Sequence, residues 1–177
     1  GMHELLDRIP GSFTKMLTFI DTLLNYAMAG KIIGDMQTVS LGKILQTVIE
    51  HFEQEQQQGV VKFKLPSQWP RVQCDVLKMS QVWQNLIGNS IKYRGKLDQV
   101  EIKIGTRISG IWCECWIEDN GNGIPSSEGD RIFKPFIRLD DSRQGSGIGL
   151  ATVARILEAH KGIIRLDPRY HNGARFY

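Results

Sequence analysis

The chain has 177 residues, of which 41% are hydrophobic, 8% aromatic and 23% charged, a balance that favours one globular domain with an additional element and excludes a fibrous or disordered chain. Its net charge is only +3 and its basic residues are dispersed, so we expect no nucleic-acid partner. The apolar runs are shorter than the roughly 20 residues that cross a bilayer, and the first residues lack a signal-peptide pattern. We therefore expect no membrane contact from this segment and a cytoplasmic location for it, with membrane anchoring of the full-length protein left open.

The first predicted element is an amphipathic helix. Apolar residues recur at three- and four-residue steps from Phe13 through FTKMLTFIDTLLNYAMAGK, and Gly30 ends the pattern. Such a stripe has to be covered, so we expect a partner helix or a second subunit against it. The alternative is that the stripe packs only on its own domain.

The remaining elements alternate between helices and strands. Ser40 predicts the start of a second helix that ends before Gly59, VVKFKL predicts a strand, and a third helix is expected from about Asp75 to Tyr93. VEIKIGTRI and GIWCECWIE predict two paired strands. Residues 119–149 predict a loop that is too long to be a simple connector and is therefore a candidate functional lid. GLATVARILEAHK predicts another helix, before a last pair of strands in GIIRLD and ARFY. We therefore predict an α+β fold, a two-layer α/β sandwich with mostly antiparallel strands.

Three cysteines are present: Cys74, Cys113 and Cys115. The last two are separated by one residue on a predicted strand, so their thiols should lie on the same face. We interpret the cysteines as buried and reduced. Metal binding is the alternative, although no histidine or second cysteine pair stands at a matching spacing.

The third helix carries an unusual polar strip. At about 100° per residue, Asn85, Asn89, Lys92 and Tyr93 share one face, beside the apolar face that should meet the core. Amides are costly to bury without partners, which indicates a bound ligand. An amide oxygen suits Mg²⁺ when phosphate and water supply the other ligands, and Lys92 could add positive charge. Capping and side-chain hydrogen bonds are the alternative.

A carboxylate and two glycines follow a strand in EDNGNGI. Asp119 ends the strand, and Gly121 and Gly123 let the backbone approach a ligand closely. A carboxylate in this place can accept the exocyclic amine of adenine. The alternative is a simple hairpin turn.

A second glycine pattern, GSGIGL, opens a helix. Gly145, Gly147 and Gly149 leave backbone N–H groups and the helix N-terminus free to hold phosphate. The pattern differs from the dinucleotide-binding fingerprint, which requires a strand directly before it.

The order of these motifs resembles the ATP-binding domain shared by sensor histidine kinases, DNA gyrase, mismatch-repair ATPases and heat-shock chaperones, and most closely that of the histidine kinases. DVLKMSQVWQNLIGNSIKY is similar to the N box, DNGNGI to the G1 box, IFKPFIRL to the F box and GSGIGLATVARILEAHKG to the G2 box. The resemblance covers about residues 39–177. It implies an ATP-binding catalytic domain at 31–177, preceded at 1–30 by the second helix of a dimerisation hairpin.

The resemblance also implies site roles. Asn89 would bind Mg²⁺, with Asn85 as a second polar contact, Lys92 on phosphate and Tyr93 near the base. Asp119 would bind the adenine amine, and Arg138 and Arg143 are candidates for lid contacts to the terminal phosphate. The implied nucleotide-contacting set is completed by Gly121, Gly123, Ile124, Phe133, Gly145, Gly147, Gly149 and Leu150.

One position indicates the reaction. In the gyrase-like and chaperone ATPases, a Glu that activates water stands four residues before the metal-binding Asn; here that residue is Asn85, which cannot accept the proton. We therefore expect transfer of the γ-phosphoryl of ATP to a supplied nucleophile, with Asn85, Lys92 and Arg143 as catalytic residues.

The implied nucleophile is a histidine on a preceding helix of the same protein, absent from this sequence, with His3 incidental. The resemblance further implies a response-regulator receiver domain as partner and a homodimer in the full-length protein. Alternatives are a serine/threonine kinase of the anti-sigma type, and a degenerate domain that serves only in dimerisation and docking.

Overall fold

The computed structural model describes residues 16, 17, 19–30, 34–140 and 145–177. His3, Phe13 and Arg143 lie outside the described residues. The elements in chain order are α1 (19–29), β1 (Met36–Ser40), α2 (Leu41–Glu50), α3 (Glu53–Gln57), β2 (Val61–Lys64), β3 (Arg71–Asp75), α4 (Val76–Lys92), β4 (Val100–Ser109), β5 (Trp112–Asp119), 3₁₀ turns at Ser126–Glu128 and Arg131–Phe133, α5 (Gly149–Ala159) and β6 (Arg175–Phe176).

Two sheets organise the strands. The main sheet has four strands in the order β2-β4-β5-β6, and a two-stranded sheet pairs β1 with β3. In the main sheet β2 runs parallel to β4, whereas β5 is antiparallel to both β4 and β6. Buried residues of α2, α4 and α5 share one hydrophobic core with residues of β4 and β5. The predicted two-layer α/β sandwich is confirmed.

The alternation of β4 shows how sequence produces the layer. Val100, Ile102 and Ile104 are buried because side chains at every second position of a strand point to the same face. Lys103 points to the other face, where its Nζ lies 3.2 Å from a carboxylate oxygen of Glu118. The strand prediction is confirmed here.

Two local predictions were wrong. The single helix expected from Ser40 to Gly59 is divided into α2 and α3, because Phe52 turns toward the core whereas the run EQEQQQ that follows it has no apolar face. The short β1 and β3 were missed. They pair over a sequence separation that local patterns do not report, with Val39 opposite Val72.

The final pair of strands is shorter than predicted. Only Arg175–Phe176 forms a strand, and GIIRLD contributes a single bridge from Leu166 to Phe176. Backbone hydrogen bonds of 2.7 and 3.0 Å between Arg165 and Tyr177 nevertheless hold the two segments together. The predicted pairing is confirmed, although most of its first strand is irregular.

The helix α1 contacts the domain through its C-terminal part. Arg155 donates from Nη1 to the carbonyl oxygen of Tyr26 at 3.1 Å, and its guanidinium lies 4.8 Å from the centroid of the Tyr26 ring. Ala29 is buried. Most of the apolar stripe remains exposed, including Leu17, Ile20 and Leu24, with 44–58% of their surface accessible. Nowhere in the described residues is a helix both long enough and apolar enough to span a bilayer.

Asp75 joins three parts of the fold. Its carboxylate accepts N–H bonds from Lys78 at 3.1 Å, as an N-cap of α4, and from Gly34 at 2.6 Å. Its own N–H donates to Nε2 of His160, at the end of α5, over 3.1 Å. Burial raises the pKa of Asp75, but the N–H bonds from Lys78 and Gly34 outweigh burial, so its pKa lies below the ordinary value.

This arrangement predicts a stability that depends on pH. Because the pKa of Asp75 is lower in the folded chain than in the unfolded chain, its contribution is present at neutral pH and is lost as the pH falls below about 3.9 and through the folded pKa. Asn caps a helix as well as Asp does, but its NH₂ group would replace one of the two oxygens that accept N–H bonds from Lys78 and Gly34. Asp75→Asn should therefore lower the free energy of unfolding at pH 7 by about 1 kcal/mol. Urea denaturation at pH 7 and pH 3 should show this difference shrinking in acid; an equal loss at both values would contradict the prediction.

Candidate nucleotide site

The two asparagines of the polar strip differ in their bonding. Asn85 donates from Nδ2 to the carbonyl oxygen of Gln81 at 2.9 Å, within its own helix. Its Oδ1 points at the start of α5, where a Cβ built on Gly149 would lie 2.9 Å away. Asn89 is half-buried and its side chain makes no hydrogen bond among the described residues. Asn85 is therefore held by the protein, whereas the amide oxygen of Asn89 remains available.

Lys92 lies beside the second glycine loop. Its Nζ is 4.8 Å from the centroid of the Tyr93 ring, and a Cβ built on Gly145 would lie 2.5 Å from that nitrogen. The C-terminal end of α4 and the loop before α5 therefore meet at a positive charge. A cation beside a glycine loop that opens a helix can bind phosphate.

Asp119 is buried, with 7% of its surface exposed, at the end of β5. Its Oδ1 accepts N–H bonds from Gly121 at 2.9 Å and Ala174 at 3.1 Å, and its Oδ2 accepts the hydroxyl of Ser90 at 2.8 Å. A carboxylate oxygen has two lone pairs. The Oδ2 atom therefore keeps one acceptor position for a ligand.

The DNGNGI segment is a loop against α4 and is not a hairpin turn, because β5 next pairs with the distant β6. Asn122 donates its N–H to the carbonyl oxygen of Tyr93 at 3.1 Å. A Cβ on Gly121 would lie 2.8 Å from that oxygen, and Gly123 has φ +72°. Gly121 is required because the loop approaches the end of α4 so closely, whereas Gly123 is required by its left-handed backbone and by the carbonyl oxygen of Gly173, 3.0 Å from where its Cβ would lie.

The second loop packs on the F-box segment. Phe136 donates its N–H to the carbonyl oxygen of Gly147 at 3.0 Å. Gly147 has φ +71°, and a Cβ on it would lie 3.0 Å from the carbonyl oxygen of Ile137 and 3.1 Å from Cγ of Arg138. These contacts place the segment beside the N-terminus of α5.

Three further predicted residues support the loops from the core. Ile124, Phe133 and Leu150 are partly buried against the hydrophobic cluster, and Phe133 meets the ring of Phe176 edge-on at a centroid distance of 6.2 Å. Arg138 donates from Nη2 to the carbonyl oxygen of Asp140 at 3.3 Å.

The structure adds two site residues that the motifs did not indicate. Ser90 and Ala174 both bond to the Asp119 carboxylate from elements distant in sequence. Ser90 follows Asn89 in the helix but lies on its buried side. No local pattern marks either residue, because each acquires its contact only when α4, β5 and β6 pack together.

A separate cavity of about 290 Å³ opens near the start of α4. Its lining contains none of the predicted nucleotide residues and consists of Met28, Gly34, Asp75, Leu77, Lys78 and Gln81. This space belongs to the junction between α1 and the domain.

The layered fold, the buried aspartate at a strand end and the glycine loop before α5 define the class of two-layer α/β ATP-binding domains. Residues 74–177, more than half of the chain, match the family described as histidine kinase-, DNA gyrase B-, and HSP90-like ATPase. The chain belongs to this family.

Several sequence relatives are named as histidine kinases or sensory kinases. The chain is 31% identical over 168 residues to the methanogenesis regulatory histidine kinase FilI of Methanothrix harundinacea. This alignment covers 95% of the present chain and 19% of FilI. The chain spans between 19% and 39% of the first curated relatives that it matches. The prediction of a histidine-kinase type of ATP-binding domain is confirmed.

Solved structures confirm the fold. Full-length ShkA in complex with AMPPNP superposes with a TM-score of 0.76 at 24% identity, over 94% of this chain and 35% of that one. The histidine kinase ThkA in complex with the response regulator protein TrrA superposes with a TM-score of 0.72 at 22% identity, over 95% of this chain and 47% of that one.

Proposed function

We propose that this chain is the cytoplasmic catalytic part of a sensor histidine kinase, which transfers the γ-phosphoryl of MgATP to a histidine on a preceding helix of the same protein. The bond from the β,γ-bridging oxygen to the γ-phosphorus breaks, a bond from the histidine nitrogen to that phosphorus forms, and ADP leaves. Residues 31–177 form the ATP-binding domain, and residues 1–30 belong to the second helix of the dimerisation hairpin.

The observation that most supports transfer rather than hydrolysis is the presence and hydrogen bonding of an amide side chain at Asn85. Its Nδ2 donates to the carbonyl oxygen of Gln81, which holds the side chain in one orientation. A neutral amide is not a base, so Asn85 cannot accept a proton from water. A general base contributes about 10²- to 10⁴-fold to such a step. Without one at this position, hydrolysis is disfavoured and transfer to a supplied nucleophile is favoured.

The residues present fit a magnesium nucleotide. The amide oxygen of Asn89 is a hard ligand of the kind that Mg²⁺ takes together with phosphate oxygens and water. Mg²⁺ would neutralise charge on the phosphates during transfer. Lys92, Arg138 and Arg143 would add positive charge around the phosphates, Gly145, Gly147 and Gly149 would donate backbone N–H groups to them, and Asp119 would accept the adenine amine beside Tyr93.

The partners follow from the same proposal. The exposed apolar stripe of α1, with Ile20 and Leu24 about half accessible, suits a homodimeric helical bundle, since that much apolar surface on one helix favours a partner. The ThkA complex supports a response-regulator receiver domain as the next phosphoryl acceptor.

The metal role is tested at Asn89. Asn89→Ala should lower the affinity for a non-hydrolysable ATP analogue by about tenfold or more in Mg²⁺, and should remove most of the difference between Mg²⁺ and a chelator. Gln56→Ala, which removes an exposed amide from α3, is the matched control and should change nothing. Isothermal calorimetry measures both; unchanged Mg²⁺ dependence in Asn89→Ala would exclude this ligand.

The activity is tested by supplying the acceptor. We expect the parent chain to phosphorylate an added histidine-bearing hairpin from its full-length protein, giving a phosphate that is labile in acid and stable in alkali. An acid-stable product would indicate a serine or threonine acceptor. Release of inorganic phosphate at the same rate with and without the hairpin would contradict phosphoryl transfer as the function.

A further inference from the structure

Two thiols lie side by side at the end of β5 remote from Asp119. Cys113 and Cys115 are on the same face of the strand, opposite Ile108 and Thr106 of β4. Their Sγ atoms are 3.6 Å apart, so both side chains turn toward each other. Neither cysteine has a role in the nucleotide site.

The two thiols differ in environment. Cys115 packs against the hydrophobic core. Cys113 is half-buried outside that cluster, so solvent can reach the pair of thiols through it. The hydrogen bond between them lowers the pKa of Cys113, and the same bond together with burial raises the pKa of Cys115. The first proton of the pair is therefore easier to remove than that of an isolated thiol, and the second is harder to remove unless another positive charge replaces it.

We propose that Cys113 and Cys115 form a two-thiolate binding site for one soft, thiophilic cation of the Cu(I) class. Soft thiolate ligands select Cu(I), Zn²⁺ and related ions. With metal–sulfur bonds of about 2.3 Å, sulfur atoms 3.6 Å apart subtend about 100° at the ion. Small rotations about χ1 open that angle toward the wider geometry of a two-coordinate ion, so the backbone need not move.

The missing third ligand decides the class of ion. Within the ranges that the structure describes, no three His, Cys, Asp or Glu side chains lie close enough to hold a metal. A structural Zn²⁺ site needs four protein ligands and a catalytic one three. The pair therefore suits an ion that two thiolates satisfy, and binding exchanges two thiol protons for one Cu(I) without any change of oxidation state.

A disulfide is less compatible with the strand. At about 3.4 Å per residue, the Cα atoms of alternate strand residues are about 6.8 Å apart, which is the upper limit for a disulfide. Closing the bond would bend β5 away from its pairing with β4. The sulfur atoms can hold an ion without that distortion.

The proposal is tested by anaerobic titration of the reduced chain with Cu(I), in competition with a colorimetric Cu(I) chelator. We expect one ion to bind per chain, with release of about two protons at neutral pH. Cys113→Ser and Cys115→Ser should each lose this binding. Cys74→Ala, which removes the buried third thiol, is the control and should retain it.

Three results would overturn the proposal of a Cu(I) site. Equal binding by folded Cys113→Ser or Cys115→Ser, judged by thermal melting, would overturn the proposal. So would a parent chain that binds Cu(I) no more tightly than a variant that carries both Cys113→Ser and Cys115→Ser. A probe of the unaltered chain guards against variants that do not fold: one equivalent of a trivalent organoarsenical, which takes two adjacent thiols, should block Cu(I) binding. Recovery of a Cys113–Cys115 disulfide with no Cu(I) bound would also overturn it.

Discussion

Asp119→Asn should lower the affinity for ATP by about 10- to 150-fold, equivalent to the roughly 1.5–3 kcal/mol of a hydrogen bond to a charged group. The amide oxygen of Asn can still accept the N–H groups of Gly121 and Ala174, which now bond to Oδ1. Its NH₂ group would then replace Oδ2, where the proposal places the adenine amine, so a donor would meet a donor. Calorimetry with an ATP analogue measures the loss.

Base specificity makes this prediction sharper. The parent chain should prefer ATP to inosine triphosphate, which carries a carbonyl oxygen in place of the amine, and Asp119→Asn should reduce or reverse the preference. Ser90→Ala is the matched control, since it removes the hydroxyl donor to Oδ2 but leaves the carboxylate. It should keep the preference for adenine. An Asp119→Asn variant that is folded and still discriminates as the parent does would disprove the assignment of Asp119 to adenine.

Gly173→Ala should lower the free energy of unfolding by about 3 kcal/mol or more and weaken the nucleotide site with it. Gly173 has φ +145°, and a Cβ would lie 2.7 Å from the carbonyl carbon of Asp119 and 2.9 Å from Cα of Asn120. These are backbone atoms, so no side chain can move aside. Relief requires β6 to move from β5, which would stretch the bond from the Ala174 N–H to Asp119.

Substitutions at two other glycines distinguish steric contact from backbone strain as the cause of the loss of stability. Gly88→Ala, in α4, meets nothing within 4 Å and should stabilise the chain by about 0.5–1 kcal/mol through helix propensity. Gly110→Ala also meets nothing but has φ +61°, so it should cost only the backbone strain of about 1 kcal/mol. Urea denaturation of the three variants measures the series. If Gly173→Ala loses no more stability than Gly110→Ala, steric contact with the Asp119 backbone is not what requires this glycine.

The elements that were predictable are those whose signal is periodic within the element itself. The polar strip and apolar face of α4, the alternation of β4 and the glycines that precede α5 all appear in short windows of sequence. Their residue types express local constraints, such as the side-chain period of a strand or the need for close backbone approach. The N, G1, F and G2 boxes, in this order along the chain, also predicted the nucleotide site.

The division of α2 from α3 and the pairing of β1 with β3 were not predictable in this way. The first depends on Phe52 turning toward the core, and the second on contacts between residues some 33 positions apart, such as Val39 and Val72. Local propensity is a weak guide when packing between distant segments decides the outcome.

The sequence by itself determined which chemical groups are present at the proposed nucleotide site: amides at Asn85 and Asn89, a carboxylate at Asp119 and glycines in both loops. Only the tertiary structure decided how these groups are held. Ser90 and Ala174 bond to Asp119, and Asp75 reaches both Gly34 and His160. Side-chain type and spacing are local properties, whereas each of these bonds joins distant segments that meet only when burial of the shared core brings the layers together.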